Sequence, residues 1–185
     1  MKKKQIIALS VSLGLILLIF QFPIRRLYYN FQEYSTLKRN IIWSPKTKLK
    51  ISDFKFRPDE TYIDNFSARV GIVSVHTIKD KINLRSTTIF LPKDSYVTDT
   101  TNHLFLRIAQ ARFDLCEIYR RRLELKIDSL NRKNVDKITK DSIFKLEEFY
   151  YYEFEREWDI FNETKKKNLM SKIKMLENYI KTELE

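Results

Sequence analysis

Apolar and polar positions along the chain change period twice. The first stretch is a continuous apolar run, Ile6 to Phe20 (IIALSVSLGLILLIF), behind the basic head Met1-Lys2-Lys3-Lys4-Gln5. Carried on through Pro23 to Ile24 it would make about 28 Å of helix at ~1.5 Å per residue, close to the ~30 Å hydrocarbon core of a bilayer. The run exits into Phe20-Gln21-Phe22-Pro23-Ile24-Arg25-Arg26 with no small-residue cleavage site, so the pattern predicts an uncleaved signal-anchor over residues 1–24. Lys2, Lys3 and Lys4 favour a cytoplasmic N-terminus, against Arg25 and Arg26. The expected address is therefore the cell membrane, single-pass, with the C-terminal part on the periplasmic side. Residues 25–40 (RRLYYNFQEYSTLKRN) are a polar, aromatic connector, a short helix or a membrane-interface segment.

Period two follows. Lys48-Leu49-Lys50-Ile51 alternates polar and apolar, and Phe54-Lys55-Phe56 repeats the pattern. Phe66 to Ile78 is long and β-branched, with Gly71 expected at a bulge or bend. Lys79-Asp80-Lys81 predicts a tight turn, and Lys81 to Leu91 a strand pairing back as a hairpin. Pro92-Lys93-Asp94 closes that strand, before a short one at Ser95-Tyr96-Val97. No βαβ alternation is present, which argues against a doubly wound parallel sheet.

From Thr101 the period becomes helical. Leu104, Ile108, Ala111, Leu115 and Ile118 step by 4, 3, 4 and 3, one face of a helix that ends near Asn131-Arg132-Lys133-Asn134. A second helix starts at Thr139 to Asp141 and lines up Ile143, Leu146, Tyr150, Phe154, Trp158 and Phe161. Leu169, Ile173, Leu176 and Ile180 make a third stripe. The expected fold class is α+β: an antiparallel β-region over 41–98, then long packed helices over 99–185, in one domain tethered by an N-terminal transmembrane helix.

Composition narrows the chemistry. The 185 residues include one cysteine, Cys116, and two histidines, His76 and His103, which excludes an intramolecular disulfide and a multi-cysteine zinc site. Two glycines leave no Gly-rich phosphate loop. The net charge of +11 is uneven: residues 5–140 carry 24 Lys/Arg against 13 Asp/Glu, residues 141–185 only 8 against 11. The cations are scattered without a nucleic-acid-binding signature, which argues for a solvated basic face and against nucleic acid as a partner. Arg112, four residues from Cys116, would lower the thiol's pKa, whereas a small buried helical residue is the plainer expectation for Cys116. The stripe holding Phe154 and Trp158 is expected in the core, with Tyr151 and Tyr152 projecting elsewhere as a partner surface. Glu147, Glu148, Glu153, Glu155 and Glu157 are expected on a solvated helix face, and Glu117 four residues before Arg121 as an exposed pair.

Leu106-Arg107-Ile108-Ala109-Gln110-Ala111-Arg112-Phe113-Asp114-Leu115 resembles the signature helix of an uncharacterised family of exported bacterial zincin-like proteins. There the stretch reads L-x-H-E-Q-x-H-F-D-I. Glu117, Tyr119, Arg121 and Arg122 resemble the family's E-L-Y-A-R-R. Ile42-Trp43-Ser44 and Leu49 to Lys55, with Asp53 and Phe54, resemble its W-S and L-T-W-x-D-F-K-G. Pro92 to Val97 resembles its S-W-V segment, and Glu163-Thr164-Lys165-Lys166 an E-T-x-H. The resemblance covers residues 41–125. It implies a fold in which two histidines one helical turn apart bind zinc and the adjacent glutamate activates zinc-bound water.

The departures fall where that chemistry would be. Ile108 and Arg112 stand at the histidine positions, Ala109 at the glutamate, and Lys166 at the C-terminal histidine, while Trp43, Asp53, Phe54, Gln110, Phe113, Asp114 and Glu117 are retained. Two ligands and the base are missing together, and Arg112 would set a cation where a dication should sit. The expected function is a membrane-anchored, non-catalytic envelope domain, a pseudo-enzyme with a protein-interaction or scaffold role and no cofactor. The alternatives are an active hydrolase with a different site, and a basic module binding anionic polymer or lipid.

Overall fold

A computed structural model describes residues 27–58, 66–78, 81–133, 138–163 and 168–185. The expected anchor over 1–24, the turn residues Lys79 and Asp80, and Lys166 lie outside the described residues. Among the described residues no helix is long and apolar enough to cross a membrane. The chain divides into two units, residues 1–39 and 40–185. In the first, the connector is a helix, α1, over residues 27–39.

The second unit is α+β, with strands leading into long helices. Strands β4 (Val70–Ile78) and β5 (Ile82–Phe90) form the expected antiparallel hairpin, and β1 (Ile41–Ile42) adds to the other edge of β5. A second small sheet has the order β2 (Lys55–Phe56), β6 (Tyr96–Val97), β3 (Phe66–Ser67). There β2 runs parallel to β6, a departure from an all-antiparallel region.

Two strand expectations are corrected. The hairpin pairs without interruption from Val70↔Phe90 to Ile78↔Ile82, so Gly71 sits in a regular ladder opposite Ile89 and marks no bulge. A Cβ there would meet Leu91 Cδ1 at 3.8 Å, an ordinary contact. The break in Phe66–Ile78 lies instead at Ala68-Arg69, where the chain leaves one sheet for the other. The buried Ser95 holds that switch: its Oγ accepts from Arg69 N at 2.9 Å and donates to Leu91 O at 2.8 Å. Lys48–Ile51 is not a strand. Leu49 N donates to the Gln110 side chain at 2.9 Å and Lys50 N to Asp53 Oδ2 at 2.7 Å, so side chains take the backbone groups that a ladder would need. A 3₁₀ turn follows at Ile51–Asp53.

The helices follow their periodicity. Helix α2 (His103–Arg132) starts at Asn102, whose side chain accepts from Leu104 N. Helix α3 (Lys140–Asn162) starts at Thr139, which accepts from Ser142 N, and α4 (Leu169–Leu184) closes the chain. α2 is the centre of the unit. Its Phe113 faces Phe90 of β5, Tyr119 meets Phe154 of α3, and Arg107 pairs with Glu177 of α4. The main core gathers Phe54, Phe90, Phe113, Leu115, Phe154, Trp158 and Ile173. A smaller cluster of Ile82, Leu123, Ile127 and Ile143 lies toward the far end of the hairpin. There Asn131 accepts from Ile82 N and donates to Ile82 O, both at 2.8 Å, clamping the start of β5 to the end of α2.

Candidate functional site

The positions that carry the resemblance act as fasteners. Trp43 Nε1 donates to Asp114 Oδ1 at 2.7 Å, and Gln110 Nε2 donates to the same oxygen at 2.9 Å. Gln110 also accepts from Leu49 N, so one side chain ties the 47–49 segment to α2. The Arg121 guanidinium lies 5.4 Å over the Trp43 ring and donates through Nε to Glu117 at 3.0 Å. Phe54, Phe90 and Phe113 continue the line into the core, with ring centroids 5.0 and 6.1 Å apart. Asp53 caps its own 3₁₀ turn.

Glu117 is not the exposed partner of Arg121 that its spacing predicts. It is 2% exposed. Thr88 Oγ1 of β5 donates to it at 2.8 Å, and Arg120 clasps both oxygens at 2.7 and 2.8 Å. Burial pushes its carboxyl up, but the bonds and charges of Arg120, with Thr88 and Arg121, outweigh burial and hold it below the usual glutamate range. Asp114 behaves oppositely. Burial raises its carboxyl above the ordinary value, against the lowering bonds from Trp43 and Gln110. Trp43→Phe is accordingly expected to raise the Asp114 pKa further and to lower stability by about 1 kcal/mol. Carboxyl titration by NMR, alongside urea unfolding, checks both; an unmoved Asp114 would contradict the shared hydrogen bond.

Positions 108, 109 and 112 present a different surface. Ile108 and Ala109 are buried. Arg112 sends Nη2 to both Glu155 oxygens at 2.8 Å, and its guanidinium lies 5.0 Å over the Trp158 ring and 5.7 Å over Phe154. Its Nε has no hydrogen-bond partner among the described residues. Glu155 and Glu157 thus leave the solvated face expected for them: the first holds Arg112, and the second accepts from the Tyr119 hydroxyl. At ~100° per residue, Ile108 shares its stripe with Arg112, Leu115 and Tyr119, and Arg112 and Tyr119 bond to α3.

A zinc ion needs lone-pair donors, and this face does not fit one. Isoleucine and alanine have none, and a guanidinium is donor-only. Lys166, at the expected third position, lies outside the described residues. Among the described residues there is no group of three or more His, Cys, Asp or Glu placed to hold a metal.

Cys116 is fully buried, the small buried helical residue of the plainer expectation, and burial pushes its thiol up, outweighing the lowering charge of Arg112. Tyr151 and Tyr152 are exposed, as the helix phase predicts, with the Tyr151 hydroxyl pushed up to about 12 by burial and Glu155.

Two concavities lie among the described residues. A groove of ≈ 720 Å³ runs between the 43–49 segment, α2 and α4, bordered by Trp43, Lys48, Gln110, Asp114, Ile180 and Lys181. A smaller one of ≈ 360 Å³ lies between β4 and α3, lined by Ser74, Glu147 and Tyr151 among others. Beside it His76 Nδ1 lies 3.4 Å from Glu147 Oε1, without hydrogen-bond alignment.

Sequence reasoning missed Thr88 and Glu155 as partners. Glu155 carried a signal: it sits between Phe154 and Trp158 of the buried stripe, so its side chain starts beside the core. No family model, curated protein or solved structure matches the chain.

Proposed function

We propose that this protein is a membrane-anchored, non-catalytic envelope domain: a pseudo-enzyme on a zincin-like scaffold, with a protein-interaction or scaffold role and its folded part on the periplasmic side. One observation carries the reading. Arg112, at a position where the resembling family has a zinc-binding histidine, is clasped by Glu155 and covered by Trp158 and Phe154. That arrangement uses the former ligand face for packing α2 on α3. The retained positions support the same division, since Trp43, Gln110, Phe113, Asp114 and Glu117 all hold elements together. The apolar run Ile6–Phe20 supports the anchor.

Metal analysis of the full chain in mild detergent, with peptide and ester hydrolysis assayed before and after zinc addition, tests the proposal. The expected result is substoichiometric zinc and no turnover in either condition. Stoichiometric zinc with hydrolysis that chelators abolish would overturn it. So would metal-independent hydrolysis lost in Glu147→Gln, which would move the chemistry to the His76–Glu147 pair. Ile108→His, Ala109→Glu and Arg112→His together are expected to restore no activity, because they leave Glu155 without its partner and Lys166 in place.

A further inference from the structure

Helix α1 exposes the wrong residues for a helix in water. At ~100° per residue, Leu27, Phe31 and Tyr34 fall within an arc of about 60°, and they are 68%, 68% and 61% exposed. Tyr28 and Tyr29, outside that arc, are each 57% exposed, while Glu33 and Thr36 are half-buried. Large apolar and aromatic groups thus lie open while a carboxylate is partly covered. Aromatic rings with a polar tip suit the headgroup layer of a bilayer.

Charge and chain position identify the occupant. Residues 25–39 carry Arg25, Arg26, Lys38 and Arg39 against Glu33 alone, a balance that favours anionic headgroups. Lys38 falls inside the same arc at ~100° per residue, one turn beyond Tyr34, and its Nζ lies 5.8 Å over the Tyr34 ring, so the cation closes the C-terminal end of the apolar row. The apolar run Ile6–Phe20 ends only a few residues upstream, which keeps α1 next to whatever surface that run enters.

We infer that α1 lies flat in the interface of an anionic bilayer, with Leu27, Phe31 and Tyr34 turned toward the acyl chains. The inference rests on the proposed anchor and adds a second contact to it.

The test uses the full chain in vesicles of phosphatidylcholine and phosphatidylglycerol. Tyr29→Cys, Phe31→Cys and Tyr34→Cys are labelled separately with an environment-sensitive fluorophore. Cys116 is buried, and the unsubstituted chain is the labelling blank. Labels at 31 and 34 are expected to be quenched by acyl-chain nitroxides and shielded from aqueous iodide. The label at 29, about 160° round the helix from 31, is expected to show the reverse, with several-fold stronger iodide quenching. A depth that falls steadily from 29 through 31 to 34 would mean an upright continuation of the anchor and would overturn the inference. Iodide access at all three positions would also overturn it. So would shielding at 31 and 34 without nitroxide quenching, which would indicate a protein occupant. Failure of the chain to float with the vesicles would instead remove the anchor itself, and the inference with it.

Discussion

Trp158→Ala is expected to cost about 3–5 kcal/mol and to lower the melting temperature by roughly 10 °C. Trp158 is 3% exposed, stacks near Phe161 with centroids 5.0 Å apart, and carries the Arg112 guanidinium on its ring. Truncation therefore has two consequences. It opens a cavity between α2 and α3, and it uncovers one face of an ion pair whose arginine side chain is only 13% exposed. Trp158→Phe keeps an aromatic face and should recover most of the loss. Thermal unfolding followed by circular dichroism separates the cases. A near-neutral Trp158→Ala would mean that the ring faces a partner and that Arg112 is held by Glu155 alone.

That tryptophan was legible in the sequence, and the reason is physical. Ile143, Leu146, Tyr150, Phe154, Trp158 and Phe161 recur at helical spacing, and a stripe that long has to be covered by something. The α2 stripe and the Val70–Phe90 hairpin are visible for the same reason: each is a local period imposed by one buried face. What periodicity cannot carry is the identity of a partner on another element. The spacing of Glu117 and Arg121 suggests a pair on water, because nothing local announces that Thr88, 29 residues earlier, closes over the carboxylate. The Arg112–Glu155 pair joins residues 43 apart and escapes in the same way. Lys48–Ile51 misleads because alternation reports which faces are covered and not what satisfies the backbone; here Gln110 and Asp53 do so. The candidate site divides along the same line. Which positions carry the resemblance and which depart from it could be read from the residues; that Trp43, Gln110, Asp114 and Glu117 are fasteners required their contacts.

The second large effect concerns Glu117, a carboxylate buried between α2 and β5. Glu117→Ala is expected to cost about 3–5 kcal/mol at neutral pH, the usual range for removing one partner of a buried pair. Most of that loss belongs to what is left behind. Thr88 is buried and loses its acceptor, while Arg120 keeps Glu124 and Ser86 and Arg121 keeps Leu184 O. Glu117→Gln isolates the charge. The folded pKa of Glu117 lies below its ordinary value. Its ionised form therefore adds stability that is fully present above the unfolded pKa, near 4.5. That stability is lost as the pH falls through the folded value. Asp114 has the opposite sign, because its folded pKa is raised: its contribution is complete below the unfolded value and is lost as pH rises through the folded one. Wild type should accordingly lose stability on acidification faster than Glu117→Gln. The difference between the two should be largest near neutral pH and should shrink steadily below about pH 4.5. Urea unfolding of both proteins across that range, followed by tryptophan fluorescence, measures it. A difference that stays constant from neutral pH into strong acid would mean that Glu117 is not held as the carboxylate and that Arg120 draws its partner elsewhere.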